Sequence, residues 1–203
     1  MSKTRLEAFS DGVIAILITI MVLDLRSPAG SDLSTFVAIL PGIATYLLSF
    51  VFLGIYWNNH HHLLHATERI NGAVLWANLH LLFWLSLVPF ATRWMSETEF
   101  ATLPTALYGS VLLLSAVAYT ILVRVILACQ PPDSVLASAI GTDRKGNISL
   151  VIYAVAIPLT LVNELISIGL FALVALIWLV PDRRIEARIN AIAGGRHRGS
   201  GLE

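Results

Sequence analysis

Long apolar runs separated by short polar breaks set the pattern of this chain. Several runs approach the roughly 20 residues that a helix needs to cross a hydrocarbon core of about 30 Å. The pattern predicts six membrane spans, at about 5–26, 33–58, 71–93, 102–128, 146–162 and 165–181. Breakers fall between them: Ser27-Pro28-Ala29-Gly30, the polar stretch from Asn58 to Asn71, Arg93 to Pro104, and Pro131-Pro132 onward. The last two spans form one apolar stretch from Asn147 to Val180, too long for a single crossing. Asn163-Glu164 near its middle predicts a tight hairpin. The expected fold is an all-α integral membrane protein, with residues 1–193 as one six-helix domain and 194–203 as a flexible tail. Within that tail, Gly199-Ser200-Gly201-Leu202-Glu203 looks like a cloning scar and is left out of fold reasoning.

Composition agrees with the pattern. Apolar residues make up 57% of the 203 and charged residues 13%, with a mean hydropathy of +0.78, whereas soluble domains carry roughly a quarter charged residues. The formal net charge is zero, which gives no electrostatic reason for a nucleic-acid partner. The first apolar run carries Asp11 early and has no small-residue cleavage site, so it is expected to be retained as a helix. A single cysteine, Cys129, excludes an intrachain disulfide and any multi-cysteine metal site.

Charge is placed asymmetrically. With six spans, one side collects Lys3, Arg5, Arg69, Arg124, Arg144, Lys145, Arg183, Arg184, Arg188, Arg196 and Arg198, and the other only Arg26 and Arg93. The positive-inside tendency then puts both termini in the cytoplasm. Asp24, Asp32, Glu97, Glu99 and Glu164 would face outside. They read either as an acidic mouth that concentrates cations or as ordinary solvated loop charges.

The first span carries the densest chemistry. A carboxylate inside a span is costly and normally faces protein or water with a partner. At about 100° per residue, Arg5, Phe9, Gly12, Ile16, Thr19, Ile20 and Leu23 form one stripe, and Asp11 lies away from it. The stripe suits helix packing, lipid contact or a pore wall. Asp11 suits a buried polar network, with Arg5 or one of the histidines at the end of the second span as its partner. Asn78 and His80 in the third span are further candidates for that network. His60, His61, His62 and His65 cluster at the end of the second span. His61 and His65 share a helical face that suits a transition metal, but no His-Glu-x-x-His pattern accompanies them, and no metal site is expected. No Ser/His/Asp or Cys/His arrangement suggests an enzyme.

Arg5-x-x-x-Phe9-Ser10-Asp11, followed by Gly12 and an apolar run, resembles the signature of the transmembrane protein 175 family, the endosomal and lysosomal potassium channels and their bacterial relatives. Trp57-x-x-His60-His61, Asn78 and Pro89-Phe90-x-Thr92 extend the resemblance. It implies a bacterial-type homotetramer with one six-helix unit per chain, set in the cell (inner) membrane. The first helix of each subunit would line a pore on the four-fold axis. It also implies permeant potassium ions, no cofactor, and an apolar neck in place of a carbonyl-lined filter; the matching positions are Ile16, Thr19, Ile20 and Leu23. Arg5, Phe9, Ser10, Asp11, Trp57, His60, His61 and Asn78 would form the structural motif around that helix, and the resemblance favours His60 or His61 as the histidine that meets Asp11. The competing reading is a secondary transporter or proton-coupled carrier using Asp11 and the membrane histidines.

Overall fold

The computed structural model describes residues 2–25, 27–28, 30–131, 134 and 144–179. The described residues form helices and turns, with no strand among them. The helices are α1 (Lys3–Leu23), α2 (Leu33–His65), α3 (Gly72–Ser86), α4 (Val88–Glu97), α5 (Thr102–Cys129), α6 (Arg144–Leu159) and α7 (Glu164–Leu179). With α3 and α4 running on as one segment, four apolar stretches among the described residues are long enough to span a bilayer: Lys3–Leu23, Leu33–His65, Gly72–Glu97 and Thr102–Cys129. Residues 180–181 of the expected sixth span and the expected tail, 194–203, lie outside the described residues.

Two spans depart from the pattern read off the sequence. α2 does not stop at 58; it continues to His65. At 33 residues it is about 50 Å long, well beyond a hydrocarbon core of about 30 Å. The extension is amphipathic. His60, Leu63 and Leu64 are buried, while Asn58, His61, His62 and His65 face outward. The third span reaches Glu97 and is broken at Leu87. Pro89 explains the break, because it has no N–H for the ladder and its ring crowds the carbonyl four residues earlier.

Local chemistry sets the other ends. The Asn71 side chain accepts from Val74 N at 3.0 Å and caps α3. At the start of α2, the Ser34 and Thr35 hydroxyls donate to the Asp32 carboxylate and hold it below the usual carboxylate range. Between α6 and α7 the chain turns at Thr160–Asn163, and Asn163 Oδ1 accepts from Leu165 N at 2.9 Å and Ile166 N at 3.3 Å. Gln130, just past α5, clasps the α2–α3 loop: its Oε1 accepts from Glu68 N and Arg69 N, and its Nε2 donates to Arg69 O.

α5 packs against α3, α4, α6 and α7, and α2 against α1, α4 and α7. Their shared core holds an aromatic column: Phe52–Tyr153, Tyr153–Phe171 and Phe171–Tyr108, with ring centroids 6.4, 6.2 and 5.8 Å apart. Beside it runs a hydroxyl chain. Ser49 Oγ lies 3.0 Å from Tyr108 Oη and 2.7 Å from Thr92 Oγ1, and Thr92 donates to Val88 O at 2.7 Å. With the Thr92 proton committed, Ser49 donates to Thr92 and Tyr108 donates to Ser49. α5, α2 and α4 are thereby joined, and none of the three hydroxyls is left unpaired in the core.

The column closes on Gly109. A Cβ there would stand 2.5 Å from Phe171 Cζ and 3.1 Å from Ile157 Cγ1. Phe171 is fully buried and has nowhere to retreat. Gly109→Val is therefore expected to destabilise the subunit by about 1–3 kcal/mol through overpacking, read as a lower melting temperature in detergent. A parent-like melting temperature would contradict the packing described.

Candidate functional site

α1 has two faces of different character. Leu6, Ser10, Ile14, Leu17 and Met21 are buried against the rest of the bundle. On another face Phe9, Ile16, Ile20 and Leu23 are 50%, 57%, 43% and 82% exposed, and Arg5, Gly12 and Thr19 are also exposed. The buried set recurs every three or four residues, as a helix with one packed side requires. Arg5, Phe9, Gly12, Ile16, Thr19, Ile20 and Leu23 thus share a face that none of the described residues covers.

A buried polar chain fixes which face that is. Asn78 Nδ2 on α3 donates to Ser10 Oγ at 3.0 Å, and Ser10 donates onward to Leu6 O at 2.9 Å. Asn78 Oδ1 lies 2.7 Å from His60 Nε2 on α2. Because the amide nitrogen is engaged by Ser10, the oxygen faces His60, so the histidine carries its proton on Nε2 and donates. Ser10, His60 and Asn78 are all essentially inaccessible. His60 Nδ1 is buried without a hydrogen-bond partner among the described residues.

The network differs from the one anticipated around Asp11. Ser10, one residue earlier, is the member contributed by α1. Asp11 is rotated about 100° from it, is only partly buried, and makes no hydrogen bond or ion pair with another described residue. Arg5 is exposed and likewise unpaired among the described residues. His60 bonds Asn78 and not Asp11, and His61 is turned outward. The His61 ring stacks on Trp57 at 6.2 Å and lies 6.1 Å from the His65 ring. Trp57 is itself 45% exposed. His80 also stands outside the network: two residues from Asn78 is about 200° of helix, and its Nε2 accepts from Trp84 Nε1 at 2.9 Å. No group of three or more histidine, cysteine, aspartate or glutamate residues able to hold a metal ion occurs among the described residues.

Charged groups tether both ends of α1. Lys3 Nζ donates to His65 O at 2.6 Å, and Arg93 of α4 pairs with Asp24 at 3.2 Å, immediately beyond Leu23. Neither tether was legible in the sequence, because each joins residues more than 60 positions apart. Thr19 Oγ1 donates to Ile16 O at 2.9 Å. The back-bond occupies its proton, while the oxygen lone pairs remain available on the exposed face.

The family model for the endosomal/lysosomal potassium channel TMEM175 matches residues 5–89. A potassium channel of Chryseobacterium sp. (strain P1-3) is 53% identical over 190 residues, covering 94% of this chain and 99% of that protein. A potassium channel of Chamaesiphon minutus is 28% identical, covering 85% of this chain and 91% of that one. Human endosomal/lysosomal proton channel TMEM175 is 34% identical over 96 residues, 41% of this chain and 19% of that protein. Among solved structures, the crystal structure of a lysosomal potassium-selective channel TMEM175 homolog from Chamaesiphon minutus superposes with a TM-score of 0.78 at 26% identity, covering 88% of this chain and 96% of that one. With these likenesses, the apolar helices make the chain a multi-pass membrane protein of an ion-channel family, not an enzyme family. By sequence and by fold, this chain belongs to the endosomal/lysosomal potassium channel TMEM175 family.

Proposed function

We propose that the chain is one subunit of a homotetrameric potassium channel, modestly selective over sodium, in which four copies of α1 line the pore. The observation that carries this reading is the uncovered face of α1: Phe9, Ile16, Ile20 and Leu23 are exposed while Ser10, Ile14, Leu17 and Met21 are packed. The bacterial relatives named potassium channels support it.

Elementary geometry favours four subunits. Helices of about 10–12 Å diameter touching in a square leave a central gap of about 2.3 Å radius. Three leave under about 1 Å, too little for a water molecule of about 1.4 Å radius. Five leave about 4 Å, which would pass ions with their water shells and give little discrimination. In the square arrangement, Ile16, Ile20 and Leu23 form successive apolar rings that can gate by dewetting. Potassium gives up hydration water more readily than sodium, so a neck of this width favours potassium modestly. The Thr19 oxygen, its proton held by Ile16 O, turns lone pairs towards the axis and replaces part of the lost shell. The bacterial relatives and the Lys/Arg asymmetry support a bacterial inner-membrane protein with cytoplasmic termini. The permeant ion is potassium, and no cofactor is required.

Reversal potentials under opposed sodium and potassium gradients, in bilayers holding the purified protein, test the reading. Unitary current steps with a potassium-side reversal are expected. Uptake without unitary steps would favour the carrier using Asp11 and the membrane histidines. Ile16→Asn and Leu23→Asn are each expected to wet the neck, raising current and reducing potassium preference, and unchanged values in both would remove the stripe from the pore. Thr19→Val is expected to lower potassium conductance or selectivity with assembly intact, whereas Thr19→Ser keeps the oxygen and should behave like the parent. If Thr19→Val conducts like the parent, the hydroxyl serves only its back-bond.

A further inference from the structure

At the Leu23 end of α1, one guanidinium serves two carboxylates. Arg93 Nη1 lies 3.2 Å from Asp24 Oδ1, and Arg93 Nε donates to Glu97 Oε1 at 3.1 Å. Asp24 is the C-cap of α1 and follows Leu23 directly. The side chains of Arg93 and Asp24 are 50% and 27% exposed, and the groove that Arg93 shares with Phe90, Trp94 and Glu97 is open. An ion pair this wet adds little to stability. Its charge matters more than its strength because of where it stands.

Resting on the tetramer reading above, we infer that Arg93 is a conductance-determining residue: it offsets the Asp24 carboxylate and so limits how strongly the Leu23-side mouth concentrates cations. Four helices of about 10–12 Å diameter in a square put each α1 axis about 8 Å from the pore axis. A carboxylate just past Leu23 therefore stands within about one Debye length, about 10 Å at 0.1 M salt, of an entering ion. With Arg93 in place one cation per subunit offsets part of the charge of Asp24 and Glu97. Without it, the carboxylates at the mouth lose that cation, and a charged rim of one sign raises the local counter-ion concentration. The pair also holds the end of α1 to α4, and a purely mechanical tether would act equally at any salt concentration. The two roles are therefore separable.

The experiment is single-channel recording of potassium current entering from the Leu23 side, in about 10 mM and about 1 M potassium chloride, where the Debye length is about 30 Å and about 3 Å respectively. Arg93→Gln is expected to raise the unitary current about two- to tenfold at the lower concentration, at the low end of field-focusing effects, and to approach the parent at the higher. Arg93→Lys keeps the charge and is expected to match the parent at both. Asp24→Asn alone removes the carboxylate next to Leu23, leaves Arg93 paired with Glu97, and is expected to lower the low-salt current. A parent-like Arg93→Gln at low salt would overturn the inference. So would a change of equal size at high salt, or one shared by Arg93→Lys, since either marks a mechanical role. Should Arg93→Gln fail to assemble, Asp24→Asn decides the matter: an unchanged or raised low-salt current overturns the inference. A parent without unitary potassium current refutes the channel reading itself, a result distinct from parent-like variants of a conducting parent.

Discussion

The Ser10–Asn78–His60 hydrogen-bond chain determines how α1 is turned. Within a bilayer no water replaces a lost partner, and leaving one such buried group unsatisfied costs about 1–3 kcal/mol. Asn78 reaches Ser10 and His60 together only while Ser10 faces α3. Rotating α1 by one residue would bring Asp11 or Phe9 to that place, neither of which offers the same acceptor at the same reach. The exposed stripe from Phe9 to Leu23 is therefore a consequence of this chain as much as of hydrophobicity.

The rest of the subunit is a scaffold built by different means. Aromatic rings from α2, α5, α6 and α7 stack into one column, and the Tyr108–Ser49–Thr92 hydroxyls join α5, α2 and α4 beside it. α1 adds no ring to that column. Besides the packed Leu6, Ile14, Leu17 and Met21, its polar attachments among the described residues are one chain in the span and one charged contact at each end, Lys3 to His65 O and Asp24 to Arg93.

Long apolar runs made most spans legible in the sequence: α5, expected over 102–128, runs from Thr102 to Cys129. The end of α2 was not legible, because its polar residues were counted as a break when they form the wet face of a helix that outlasts the hydrocarbon. That these residues share one face of α1 was legible from their period, whereas the exposure of that face was not. The polar partners were not. Asp11 is the costliest group in the span and drew attention for that reason, yet the contact is made by the less conspicuous Ser10. Which of two adjacent residues meets Asn78 depends on the rotation of three helices, which no local pattern encodes. Gln130 and Ser49 were missed for the same reason, since their partners lie in distant segments.

The central claim is that the uncovered face of α1 is the wall of a water-filled path. Single cysteines introduced in a Cys129→Ser background, with silver ion applied during current recording, test it most directly. Gly12→Cys, Ile16→Cys and Thr19→Cys are expected to give rapid, irreversible block, and Ile14→Cys and Leu17→Cys on the packed face are expected to give none. Block confined to the packed-face positions, or no block at any of the five in a conducting protein, would contradict the account.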